Sequence, residues 1–126
     1  MAHSFRNAVE AHDLEAMAAT LAPDVQFHSP VAFRPFDGRE STMGVLTAIT
    51  SVFEDFEYTD ELESGGNTTA LIFRARVGDK SIQGIDYVRT NEDGLIEEFT
   101  VMLRPVSGIM AVAERMAPKV EGLAKA

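Results

Sequence analysis

The apolar positions change their spacing once along the chain, near Phe56, and the change separates a helical part from a stranded one. Phe5, Ala8, Val9 and His12 recur at helical spacing. Asp13 is placed to cap a second helix whose apolar side is Leu14, Met17, Ala18 and Leu21, stopped before Pro23. Val25 to His28 reads as a short strand ended by Ser29-Pro30, because proline cannot donate to a ladder and biases its predecessor toward extended backbone. The stretch from Pro30 to Gly38 carries Val31, Phe33 and Phe36, which is too apolar for a freely solvated loop, and is expected to fold over something. After Asp37-Gly38, the positions Val45, Leu46, Ile49, Val52, Phe53 and Phe56 repeat at three and four and predict a longer third helix.

Beyond it the period is two. Phe56, Tyr58, Asp60 and Leu62 alternate with Glu57, Thr59, Glu61 and Glu63 up to the Gly65-Gly66-Asn67 turn. Leu71, Phe73, Ala75 and Val77 follow up to Gly78-Asp79, then Ile82, Gly84, Asp86 and Val88 up to the Asn91 to Gly94 turn, then Phe99, Val101 and Leu103 up to Pro105. Ser107 can cap a last helix bearing Ile109, Val112, Ala113 and Met116. Helices followed by four consecutive strands with short turns predict the α+β class, an antiparallel sheet with its helices on one face, and exclude a Rossmann strand order. The other parity of these strands is apolar too, with Ile72, Ile85, Tyr87 and Met102. A sheet apolar on both faces needs a second cover, and a partner subunit is the economical one, so a homodimer is expected.

Composition narrows the function. The 126 residues, 45% hydrophobic and 25% charged, fit one domain spanning 1–126. A net charge of −9 argues against nucleic acid and against anionic membranes as partners. With no cysteine, no signal-peptide pattern at the start and no apolar run long enough to span a bilayer, a cytoplasmic location is expected. No phosphate-binding Gly-rich loop, dinucleotide fingerprint, nucleophile elbow or zinc-protease motif occurs, so no cofactor is expected. The three histidines, His3, His12 and His28, lack ligand spacing, so no metal is expected either. The acidic run from Glu54 to Glu63 reads as a solvated face.

Asp86 stands out, because it shares strand parity with Ile82, Gly84 and Val88, and Gly84 leaves space beside it. Burying a carboxylate is expensive unless it is paired, hydrogen-bonded or kept neutral, and functional sites collect such groups. The alternatives are a structural pairing with a cation such as Arg104, or a place at a wet rim. His28 and Ser29, at the end of the first strand, are candidates for a cavity mouth, His28 as a base or donor. Either they serve a site or they are a surface imidazole and a turn hydroxyl. The eight Phe and six Met pack a core by default but are numerous enough to line a pocket.

The order of elements, with Asp13-Leu14-Glu15-Ala16, Phe27-His28-Ser29-Pro30, Asp37-Gly38-Arg39-Glu40 and Gly84-Ile85-Asp86-Tyr87-Val88-Arg89 running into Asp93-Gly94-Leu95-Ile96, resembles the nuclear-transport-factor-2-like superfamily over nearly the whole chain. Within it the look is of the SnoaL-like and ketosteroid-isomerase-like branches. The resemblance implies a curved antiparallel sheet wrapped around N-terminal helices, a cone-shaped open barrel with an internal apolar cavity, and dimers formed through the outer sheet. Of the residues a ketosteroid isomerase uses, the base position looks like Ser29, the phenol position like Phe5, and only the oxyanion-hole acid has a counterpart, Asp86. There the resemblance implies a carboxylic acid kept neutral by an apolar site. The acid that limonene-epoxide-hydrolase-like members carry on the last strand looks like Val101 here. Asp86 with His28 imitates the acid and histidine of polyketide-cyclase members, and His28 alone matches the cavity histidines of scytalone-dehydratase-like members.

The expectation is therefore a domain binding a small, largely apolar ring-containing molecule, with Asp86 and His28 as acid-base residues. Ser29, Phe27, Tyr58, Phe73, Phe99, Val101, Leu103 and Arg104 are its candidate contacts. An isomerase, cyclase, dehydratase or hydrolase working without a cofactor fits this site. The alternative is a non-catalytic carrier or dimerisation module whose cavity is filled by its own side chains.

Overall fold

The computed structural model describes residues 3–120. Two short helices, α1 (Ser4–Glu10) and α2 (Leu14–Ala19), open the chain. Each begins on a side chain that satisfies an otherwise unpaired backbone donor: His3 Nδ1 accepts from Phe5 N–H at 3.1 Å, and Asp13 accepts from Ala16 N–H at 3.0 Å. α1 ends two residues earlier than the apolar spacing predicts. Its last turn closes with His12 N–H on the Val9 carbonyl and Asp13 N–H on the Ala8 carbonyl, a Schellman cap that places His12 in the left-handed region at φ 55°. α2 likewise stops short, and Leu21, expected as its last apolar residue, opens β1 (Leu21–His28) instead.

The rest of the chain is β2 (Phe36–Asp37), α3 (Arg39–Val52), β3 (Glu54–Glu63), β4 (Thr68–Val77), β5 (Lys80–Thr90), β6 (Ile96–Arg104) and α4 (Val106–Val120). The six strands form one curved, unclosed sheet in the order β2-β1-β6-β5-β4-β3. It is not wholly antiparallel as expected, because β1 lies parallel to β6. That pairing joins the ends of the chain across β3, β4 and β5, so no local pattern announces it. Within the loop after β1, Phe36 is buried and enters β2 opposite Phe27, whereas Val31 and Phe33 are exposed, so the loop folds inward only at its end. At the other end, Ser107 lies inside the first turn of α4 rather than ahead of it. No helix among the described residues is long and apolar enough to cross a membrane.

The concave face is set by register. Leu71 pairs with Asp86 and Asp86 with Val101, while Phe73 pairs with Gly84 and Gly84 with Leu103, so one layer of side chains runs across three strands. The room left by Gly84 is not open: a Cβ there would run into the Phe73 ring and Leu103. β3 obeys the predicted alternation only as far as Tyr58, which lies opposite Phe73. A bulge follows, and Glu61 rather than Asp60 comes opposite Leu71, which turns Asp60 and Leu62 outward. Phe53 and Phe56, expected at the end of α3, leave the helix to pack on Phe73, with ring centroids 5.7 and 4.9 Å away. Aromatic packing against the sheet wins there over helical continuation.

Candidate functional site

Between the concave face and the helices lies a cavity of about 840 Å³, walled by Phe5, Phe27, Phe36, Phe53, Phe56 and Phe73, with Val101, Leu103 and Met116. One buried carboxyl, Asp86, stands in this wall and is 7% exposed. Tyr58 Oη donates to its Oδ2 at 3.0 Å across the sheet. Its other oxygen takes no hydrogen bond among the described residues. Loss of hydration on burial pushes the Asp86 carboxyl up to about 7, with the Tyr58 hydrogen bond pulling the other way. The same burial, reinforced by the charge of Asp86, holds the Tyr58 phenol well above the ordinary value, so the phenol keeps its proton and acts as donor.

Tyr58 is itself held on several sides. Phe56 meets it edge-on at 4.9 Å, and the Arg6 guanidinium lies 5.6 Å from its ring centroid. Arg6 in turn reaches Glu10 at 3.2 Å and Glu61 at 3.4 Å, and Glu61 also accepts from His3 N–H at 3.0 Å. The bulge after Tyr58 is what brings Glu61 to face α1, so a local irregularity of β3 ties the first helix over the Tyr58–Asp86 pair. Among the described residues there is no group of three or more metal-ligating side chains.

Asp86, Tyr58, Ser29, Phe27, Phe73, Val101 and Leu103 all line the cavity. His28, Phe99 and Arg104 do not. His28 follows buried Phe27 on β1 and so faces the other way, where its Nε2 lies 3.6 Å from Glu98. Arg104 donates to Gln83 at 3.3 Å on the convex face, so it neither orients a cavity ligand nor pairs with Asp86, whose partner is Tyr58. Phe99 is fully buried between Phe5 and Phe27, with centroids 5.0 and 5.3 Å away, and belongs to the core. Ser29 Oγ accepts from the N–H groups of Val31 at 3.2 Å and Ala32 at 2.9 Å, so it closes a turn at the cavity edge. Sequence reasoning missed Glu10 and His12, which also line the cavity. The one available signal was the Asp13 cap, which forces the preceding helix to end before His12.

The family model of the SnoaL-like domain matches residues 2–99, and the chain belongs to that family. Among solved structures, a steroid delta-isomerase from Pseudomonas aeruginosa is 37% identical with a TM-score of 0.88, over 93% of this chain and 86% of that one. A protein with a cystatin-like fold from Silicibacter pomeroyi is 31% identical with a TM-score of 0.88, over 94% of this chain and 84% of that one. A nuclear-transport-factor-2-like protein from Cytophaga hutchinsonii, 21% identical with a TM-score of 0.63 over 81% of this chain and 85% of that one, shares the fold. No curated protein matches the chain.

Proposed function

We propose that the cavity binds a small, largely apolar ring-containing molecule and that Asp86 performs cofactor-independent acid-base chemistry on it. The observation that carries this reading is a carboxyl buried among aromatic walls, held by Tyr58 through one oxygen and without a partner on the other. The volume, about 840 Å³, lies within the ~300–1,000 Å³ usual for small-molecule sites. A carboxyl pushed up to about 7 has both its forms near neutrality. Protonated, it donates to a carbonyl or epoxide oxygen; ionised, it accepts a proton. Isomerisation, cyclisation, dehydration and water addition beside a carbonyl all need such a group. The likeness to a steroid delta-isomerase supports a ring ketone among the candidates.

A carrier without catalysis is the second reading, favoured by Ser29, whose hydroxyl is committed to a turn and supplies no base. In either case we propose a cytoplasmic homodimer joined through the convex face, where Met102 and Tyr87 are exposed. A thermal-shift screen of ring ketones, epoxides, steroids and polyketide-like aromatics tests the site. A ligand at ~100 times its Kd adds about 2.7 kcal/mol, a rise on the order of ten degrees, and Asp86→Asn should weaken it. Turnover of any bound compound should fall ~10²–10⁴-fold in that variant. Binding that Asp86→Asn leaves untouched would remove Asp86 from the site, and bound compounds that are never turned over would favour the carrier.

A further inference from the structure

Carboxylates and cations are shared unevenly between the cavity wall and its surroundings. Glu10, Asp55, Glu57 and Asp86 line the wall, and among the described residues no lysine or arginine does. The two arginines bound to these acids stay outside it: Arg6 is held by Glu10 and Glu61, and Arg76 by Glu54 and Asp55. Glu57 and Asp86 have no cationic partner among the described residues. Asp86 is also set among rings. Tyr58, which donates to its Oδ2, is met edge-on by Phe56 at 4.9 Å and by Phe73 at 6.3 Å, and Phe56 stacks on Phe73 at 4.9 Å. The other oxygen, Oδ1, accepts nothing and yet is not sealed in, because the only sealed polar side-chain atom without a partner among the described residues is Thr42 Oγ1. Oδ1 therefore opens on the cavity.

A free carboxylate oxygen beside aromatic rings suits a cation. Ring faces attract positive charge, and a carboxylate makes its stronger hydrogen bonds to ionised donors. An anion in the same place would give up its hydration and meet no cation. A neutral ring compound fits the apolar wall but brings no charge to Asp86. Resting on the reading of this cavity as a ligand site, we propose that it selects by charge: it takes ring-containing amines, the ammonium group seated on Asp86 Oδ1 beside the rings of Tyr58, Phe56 and Phe73, ahead of neutral analogues, and it excludes carboxylates of the same shape. Amines are then a ligand class beside the ring ketones. Ionising Asp86 for such a ligand asks little near neutrality, since burial pushes its carboxyl up only to about 7. The net charge of −9 works in the same direction, drawing cations toward the protein and repelling anions.

The experiment titrates naphthylmethylamine, naphthylmethanol and naphthoate, alike in ring system and different in charge, into wild type and Asp86→Asn by calorimetry. At neutral pH wild type should bind the amine about tenfold or more tightly than the alcohol, the margin of a charged over a neutral hydrogen bond, and naphthoate more weakly than either. Asp86→Asn should bring the amine down to the level of the alcohol. Lowering the pH below about 7 should weaken the amine in wild type, because Asp86 takes up a proton while the amine stays charged, and should leave the alcohol as it was. If Asp86→Asn does not fold, the order of the three compounds in wild type and its change with pH decide. An alcohol or naphthoate that binds wild type as tightly as the amine, or an amine preference that survives Asp86→Asn, overturns the charge selection and leaves the ligand-site reading standing. Failure of all three to bind wild type defeats that reading itself, and the inference falls with it.

Discussion

Asp86 and Glu98 are carboxylates on neighbouring strands of one sheet, and their surroundings are opposite. Asp86 faces the concave side, almost wholly buried, with one hydrogen bond from a neutral phenol. Glu98 faces the convex side, its side chain 43% exposed, with Arg89 at 2.7 Å and His28 at 3.6 Å. Glu98 has two potential cations and Asp86 has none, and it is the Asp86 carboxyl that burial pushes up to about 7. Water screens the convex pair to a value of ~0–1 kcal/mol and keeps the carboxylate solvated. On the concave side the lost hydration is repaid in part by Tyr58, and the remainder holds a proton on the acid near neutrality. The comparison teaches that which face a residue occupies outweighs how many partners it has.

The contrast is tested most sharply by pH. In the folded chain Asp86 titrates at about 7, against an ordinary 3.8 when exposed by unfolding. The folded state therefore keeps a proton that the unfolded chain releases. The contribution of Asp86 to stability is greatest below the ordinary value, declines as pH rises through that interval, and is level above it. The interval corresponds to a loss on the order of 4 kcal/mol. Urea unfolding at several pH values should show this decline in wild type and not in Asp86→Asn; parallel profiles for the two proteins would mean that Asp86 is solvated.

Gly84 probes the same layer by shape. Gly84→Ala drives a methyl against the Phe73 ring and Leu103 and should cost about 1–3 kcal/mol in denaturant unfolding. Gln83→Ala, one residue away on the convex side, should stay within ~0.5 kcal/mol, and equal losses at the two positions would erase the distinction between faces. The smallest effect on the folded chain is expected at Met102, 48% exposed on the convex side. Met102→Lys should leave monomer stability within ~0.5 kcal/mol while converting the proposed dimer to monomer in sedimentation. A wild type that already sediments as a monomer ends the dimer proposal.

Strand parity was legible where it is local. In β4, β5 and β6 the alternation assigned Phe73, Gly84, Asp86, Val101 and Leu103 to one face, and the register confirms each. Asp86 was legible for the same reason, as the acid within the apolar parity of β5, whereas Asp60, in the same position in the alternation of β3, was turned outward only by the bulge. Its bond to Tyr58 was not, because the two lie 28 residues apart and their meeting depends on bulges in β3. His28 was misplaced because its position at the end of a strand, two residues before a proline, says nothing about which way it faces, which buried Phe27 decides.

By itself, then, the sequence determined the succession of elements, the sided character of β4, β5 and β6 and the acid among the apolar residues of β5, since these depend on periods of a few residues. The parallel pairing of β1 with β6, the bulge that aims Glu61 at α1, the departure of Phe53 and Phe56 from the helix and the left-handed turn at His12 were decided only in the tertiary structure. Each depends on side chains or backbone groups brought together from different elements or by a helix ending, and local periodicity carries no information about which of several competing contacts wins.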